Sequence, residues 1–107
     1  MNSLDNREKA EENKYAHEKE VEFLINARFH KLVGIWIAEK LGFDDKKTEE
    51  YKNNLITSDM SHNDKDALFN RVKHDIMINN TSVDEQEIKE KLYDLYLEAK
   101  LQINGNA

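Results

Sequence analysis

Apolar residues recur along most of this chain at intervals of three and four, the spacing that places them on one side of an α-helix. Four stretches carry the pattern, and the first is the strongest. Val21, Ile25, Phe29, Leu32 and Trp36 line one face, flanked by Leu24, Val33 and Ile35. Ile37, Ala38 and Leu41 then widen the apolar surface beyond a single stripe, which predicts a helix packed from more than one side. Ala27, Gly34 and Ala38 share a further face, where small side chains let a neighbouring helix come close. A glycine inside a helix costs about 1 kcal/mol against alanine, and close packing would offset that cost at Gly34. Gly42 stands where a left-handed C′ residue would stop the helix.

Upstream of Val21 the pattern disappears although nothing interrupts the helix. From Asp5 to Glu20, ten of sixteen residues are Asp, Glu, Lys or Arg, and Leu4, Ala10, Tyr15 and Ala16 form no stripe. Asp5 and Glu8 have the spacing of a capping box for a helix beginning at Asn6. Opposite charges such as Arg7–Glu11 and Lys14–Glu18 add only a few tenths of a kcal/mol each. The segment is therefore expected to be a marginal helix, or disordered, when free. Asp5 to Leu41 holds no proline and one glycine, and as a single helix would run about 55 Å at ~1.5 Å per residue. A compact domain of this size is roughly 33 Å across. The helix must break, or its charged end must fray or project. Residues 1–20 read as a mobile, charged segment open to a partner, and residues 21–107 as the packed domain.

The remaining elements are shorter. Asp44 or Asp45 caps a second helix to about Ile56, with Tyr51, Leu55, Phe43 and Ile56 as its apolar side. Thr57 to Asn63 reads as a loop. Asn63 or Asp64 caps a third helix, in which Leu68, Val72 and Ile76 recur every fourth residue, supported by Phe69 and Met77. Asn79 and Asn80 end it. Asp84 with Glu87 makes a capping box, and Val83 with Ile88 a hydrophobic staple, for a fourth helix. Its face is Ile88, Leu92, Leu95, Tyr96, Ala99 and Ile103, and Asn104 and Gly105 close it. The expected fold is all-α: a four-helix bundle with a long first helix whose N-terminal part is mobile or projecting.

Composition narrows the chemistry. The chain has 107 residues, enough for one domain, and only 38% are hydrophobic against 36% charged, so the core is modest. The absence of cysteine excludes disulfides, a thiol nucleophile and cysteine-based zinc sites. The N-terminus lacks the apolar run of a secretory signal, and no stretch has the length of apolar sequence that spans a membrane. A net charge of −6 argues against a nucleic-acid partner. His17, His30, His62 and His74 lie on separate elements without the spacing of a helical zinc motif, and read as surface histidines. No phosphate loop, nucleophile elbow or EF-hand spacing is present. Trp36, Phe29 and Tyr96 read as core rather than as the lining of a ligand pocket. No metal, cofactor or catalytic residue is expected, and the protein reads as a non-enzyme.

Several stretches together resemble a known family. Asp5-Asn6-Arg7-Glu8-Lys9-Ala10, Asn13-Lys14-Tyr15-Ala16-His17 and Lys31-Leu32-Val33-Gly34-Ile35-Trp36-Ile37-Ala38-Glu39-Lys40-Leu41-Gly42 look like the zeta subunit of the alphaproteobacterial F-type ATP synthase. Leu97-Glu98-Ala99-Lys100-Leu101-Gln102-Ile103 is similar to the end of that family. The most specific part is G-x-W-x-A-E-K-L-G. The resemblance implies a four-helix inhibitor of ATP hydrolysis, at the inner, cytoplasmic face of the plasma membrane. Its N-terminal segment would turn helical on inserting at a catalytic α/β interface beside the γ shaft, with the bundle anchored outside. The partners implied are the α, β and γ subunits of the catalytic head. The residues carried over to the inhibitory segment are Asp5, Arg7, Glu8, Lys9, Ala10, Lys14 and Tyr15. Glu11 belongs to the same segment as a departure, since the family usually has phenylalanine after the Lys-Ala pair. Two alternatives stay open: a helical sensor domain that binds an adenine nucleotide or other small ligand weakly, and a docking subunit that has lost inhibition.

Overall fold

The structure, a computed structural model, describes residues 3–59, 65–79, 81–82 and 84–105, with side chains described from Ala16 onward except at Asp59 and Lys65. It is all-α, a bundle of four helices: α1 (Ser3–Leu41), α2 (Asp45–Asp59), α3 (Lys65–Ile78) and α4 (Glu85–Asn104). Strands are absent among the described residues. The molecule measures 66 × 28 × 24 Å, and its radius of gyration of 17.7 Å exceeds the roughly 13 Å of a compact chain of ~100 residues. The excess follows from α1, whose 39 residues span about 58 Å at ~1.5 Å each. Helix α1 breaks nowhere, so the bundle occupies only part of its length.

Where the described residues include a helix end, local chemistry satisfies it. Gly42, at φ 73°, ends α1 in a Schellman turn: the Gly42 N–H donates to the Glu39 carbonyl at 3.3 Å and the Phe43 N–H to that of Ala38 at 2.9 Å. Asp44 then caps α2, its carboxylate accepting from the Lys47 N–H at 2.7 Å. Helix α2 runs on through Thr57 and Ser58, residues expected in a loop. Their hydroxyls donate back to the carbonyls of Asn53 and Asn54, at 2.9 and 2.6 Å, so they lie in the helix without an unsatisfied hydroxyl. The capping residues expected for α3, Asn63 and Asp64, fall outside the described residues, as do Asn80 and the staple residue Val83. Asn79 ends α3 through its side chain, whose Nδ2 donates to the Asp75 carbonyl at 2.8 Å. At α4 the Asp84 carboxylate accepts from the Gln86 and Glu87 N–H groups at 3.0 and 3.3 Å. The expected return bond from Glu87 does not form; its carboxylate instead meets Lys40 of α1 at 3.6 Å.

The core lies around the C-terminal half of α1. Val33, Ile37, Leu55, Leu68, Val72, Ile76, Ile88 and Leu95 form one buried cluster, to which every helix contributes. Of the face read as the centre of α1, Ile25 is buried but Phe29, Leu32 and Trp36 are only partly buried against the cluster, whereas Val33 and Ile37, read as flank and extra surface, are sealed completely. The reason is that α1 packs against α2 and α4 and also touches α3, so its deepest line lies between neighbours and not on one stripe. The edge contact of Phe29 with Tyr96, 5.5 Å between centroids, together with Lys40–Glu87, sets α4 antiparallel to α1. His30, read as a surface residue, is buried, and its Nδ1 lies 2.8 Å from the Asn26 carbonyl oxygen, which supplies the partner that burial requires. Met77, assigned to the apolar side of α3, is exposed.

Gly34 fixes how close α1 and α2 come. A Cβ there would stand 2.8 Å from Lys52 Cγ and 3.1 Å from Lys52 Cα, so the α2 backbone itself occupies the space of a side chain. Alanine at this position gains about 1 kcal/mol of helix propensity but forces α2 away, at a typical overpacking cost of about 1–3 kcal/mol. Gly34→Ala is therefore expected to lower the melting temperature by roughly 4–8 °C for each net kcal/mol lost. An unchanged or raised melting temperature would show that the α1–α2 contact is not tight.

Candidate partner-binding segment

Helix α1 divides by what its side chains touch. Among the described residues, Ala16 to Glu20 are all exposed, Val21 is half-buried, and Glu22, Phe23 and Leu24 are exposed again. Ile25 is the first buried side chain, and from His30 to Ala38 a buried residue recurs on every turn. Lys19 and Glu22 pair at 3.6 Å with both side chains largely in solvent. An exposed pair of this kind adds little stability. Among the described side chains, full burial on α1 thus begins at Ile25.

The residues expected in the partner-binding segment, Asp5, Arg7, Glu8, Lys9, Ala10, Lys14 and Tyr15 with the departure at Glu11, all fall within α1, on one helix continuous with the bundle. Their side chains lie outside the described set. Asp5 does not start the helix, which already includes Ser3 and Leu4. His17 is exposed.

Elsewhere the fold offers little that is built for chemistry. The most developed polar cluster joins α2 to α3 around Asp75. Its Oδ2 accepts from the Tyr51 hydroxyl at 2.6 Å and from Arg71 Nε at 3.1 Å. The Arg71 terminal nitrogens donate to Ser58 Oγ at 3.1 Å and Asn54 Oδ1 at 2.7 Å. A cleft of about 480 Å³ opens beside this cluster, with Phe43 and Lys47 on its wall, Lys47 Nζ lying 4.2 Å from the ring centroid. This volume falls in the range of small-ligand pockets. The guanidinium that a phosphate would seek is already engaged by three side chains of the protein. Sequence reading missed the cluster because Tyr51 reads as part of the apolar side of α2 while Arg71 and Asp75 look like ordinary helix-surface residues; Arg71 and Asp75, four apart, are the one local signal. A second inter-element link joins α3 to α4, where Lys73 donates to Glu85 and thereby holds that carboxyl below its ordinary pKa. Among the described residues no group of three or more His, Asp or Glu is placed to hold a metal ion, and no helix is long and apolar enough to cross a membrane.

Comparison with known proteins resolves what geometry alone leaves broad. The family model of the ATPase inhibitor subunit zeta matches residues 1–102. The chain belongs to that family. The match covers the charged start of α1 as well as the bundle, so both parts are family features. Comparisons with curated proteins and with solved structures give no match. Among the described residues of α1 the buried side chains begin at Ile25, and that distribution makes a stability prediction. A chain beginning at Val21 should melt within about 4 °C of the full-length protein, as expected for loss of surface contacts alone. A markedly larger drop, read by circular dichroism, would mean that residues before Val21 pack on the bundle.

Proposed function

We propose that this zeta subunit inhibits ATP hydrolysis by the F-type ATP synthase, with residues 1–20 as the inhibitory segment and residues 21–107 as the domain that holds it. The segment inserts as a helix at a catalytic α/β interface next to the γ shaft and blocks rotation in the hydrolytic direction. The bundle stays outside, on the cytoplasmic side, peripheral to the membrane through the synthase. The single observation that supports this reading is the continuity of α1 from Ser3 to Leu41, with no buried side chain before Ile25 among those described. A rigid bundle can direct such an extension into a cleft without being remodelled itself.

Binding would combine helix-in-groove docking with charge pairing through Asp5, Arg7, Glu8, Lys9, Lys14 and Tyr15, with Ala10 allowing close approach. Glu11 sets the strength. An aromatic anchor at an interface carries about 2 kcal/mol or more, and a carboxylate in its place must be desolvated or left in water. The same position supports the second reading, a subunit that docks without inhibiting.

Added to the cognate enzyme, the full chain should lower ATP hydrolysis, and removal of residues 1–20 should abolish the effect. Glu11→Phe should lower the half-inhibiting concentration by roughly 30-fold, the equivalent of about 2 kcal/mol. Full inhibition by the truncated chain would overturn the assignment of the segment. Inhibition that appears only with Glu11→Phe would favour the docking subunit.

A further inference from the structure

Helix α1 has one side without carboxylates. His17, Val21, Leu24, Arg28, Lys31 and Ile35 follow one another along it at alternating steps of four and three. At 3.6 residues per turn all six fall within about 60° of Arg28. His17, Leu24 and Lys31 are exposed, and Val21, Arg28 and Ile35 are half-buried. The neighbouring helices stand elsewhere: Gly34, against α2, and Phe29 and Lys40, against α4, lie about 100° or more from Arg28. Upstream the same alternation runs through positions Ser3, Arg7, Ala10 and Lys14 of the same helix.

Between Ser3 and Ile35 the chain has seven carboxylates, and none falls on this arc; Glu18 and Glu20, the nearest, stand about 80° from its centre. Four of the six lysines and arginines in that span, Arg7, Lys14, Arg28 and Lys31, do fall on it. In a chain of net charge −6, α1 thus has a basic side with apolar positions between the cations. Among the described residues neither Arg28 nor Lys31 forms an ion pair, so both charges are left to solvent or to a partner. We propose that this side of α1 docks on an acidic, partly apolar surface of the catalytic head, and that contact continues past residue 20 along the outer face of the bundle as far as Ile35. On the inhibitory reading given above, on which this rests, the inserted helix acquires an orientation, with Arg7 and Lys14 turned to the same wall as Arg28 and Lys31. Charge complementarity gives the partner's chemistry, and the unbroken run of the face out of the inserting segment gives its place. A polyanion such as RNA or an anionic membrane fits less well, because the carboxylates along both flanks of the face repel it.

Binding of the fluorescently labelled full chain to the cognate catalytic head, measured alongside inhibition of hydrolysis, tests this. Lys31→Glu and Arg28→Glu should each weaken binding by roughly tenfold, and Arg28→Lys by much less. Lys31→Glu should keep its helical circular dichroism, because the position is exposed. Added salt should weaken the wild-type chain more than either charge-reversed one. Lys46→Glu, the same change of charge on the exposed start of α2, should bind like the wild type. Unaltered binding by both charge-reversed chains would overturn the docking face, while loss of inhibition on removing residues 1–20 would leave the inhibitory segment standing. Binding without inhibition, weakened by Lys31→Glu, would support the face and overturn the inhibitory reading. A wild-type chain that does not bind the head would overturn both. Binding to RNA or to anionic vesicles that Lys31→Glu abolishes, with binding to the head unchanged, would overturn the proposal in favour of a polyanion.

Discussion

The structure depends on the complete burial of Val33 and Ile37, adjacent turns of α1 enclosed by the other three helices. Neither α2 nor α3 has a large apolar face of its own. Leu55 is the one fully sealed side chain of α2, and Leu68, Val72 and Ile76 of α3 need α1 and α4 to cover them. The C-terminal half of α1 is thus the surface on which the bundle assembles. Gly34 brings α2 to backbone contact on one side, while Phe29 meets Tyr96 on the α4 side. A helix gripped in this way over four turns is held fast there, and no proline or glycine upstream interrupts its course.

That constraint separates two kinds of physics along one helix. From Ile25 onward, stability comes from apolar area removed from water, at about 25 cal/mol per Å². Before Val21 the sequence holds no apolar stripe, and charge pairs at helical spacing are worth only a few tenths of a kcal/mol each. A segment so marginal gains most from a partner that supplies the missing contacts. On the function proposed above that gain has a purpose, because an inhibitor subunit of this kind would hold a binding element ready without spending it on its own fold.

Much of this was legible in the chain itself. Leu68, Val72 and Ile76, and the α4 face from Ile88 to Ile103, packed where their spacing placed them, because a helix with one neighbouring side buries one stripe. Helix α1 was harder to read. Its periodicity identified the helix but not the deepest line, since the choice between Phe29–Trp36 and Val33–Ile37 depends on where α2 and α4 lie. The burial of His30 was hidden for the same reason. Thr57 and Ser58 looked like loop residues because hydroxyls compete with the backbone, and only their bonds to the preceding turn keep them helical. The Asp75 cluster depends on Tyr51 reaching across from another helix, which no local pattern records. The charged segment was visible as a contrast in composition, while the role proposed for it came from family likeness and not from periodicity.

The central claim is that the start of α1 enters the catalytic head while the bundle remains outside. The most direct test is site-specific photo-crosslinking of the full chain to the cognate head, with a reactive group at position 11 in one preparation and at position 70, on the exposed side of α3, in another. The account predicts that position 11 captures the α, β or γ subunit under hydrolysing conditions and that position 70 captures none. Capture at position 70 without capture at position 11 would contradict it.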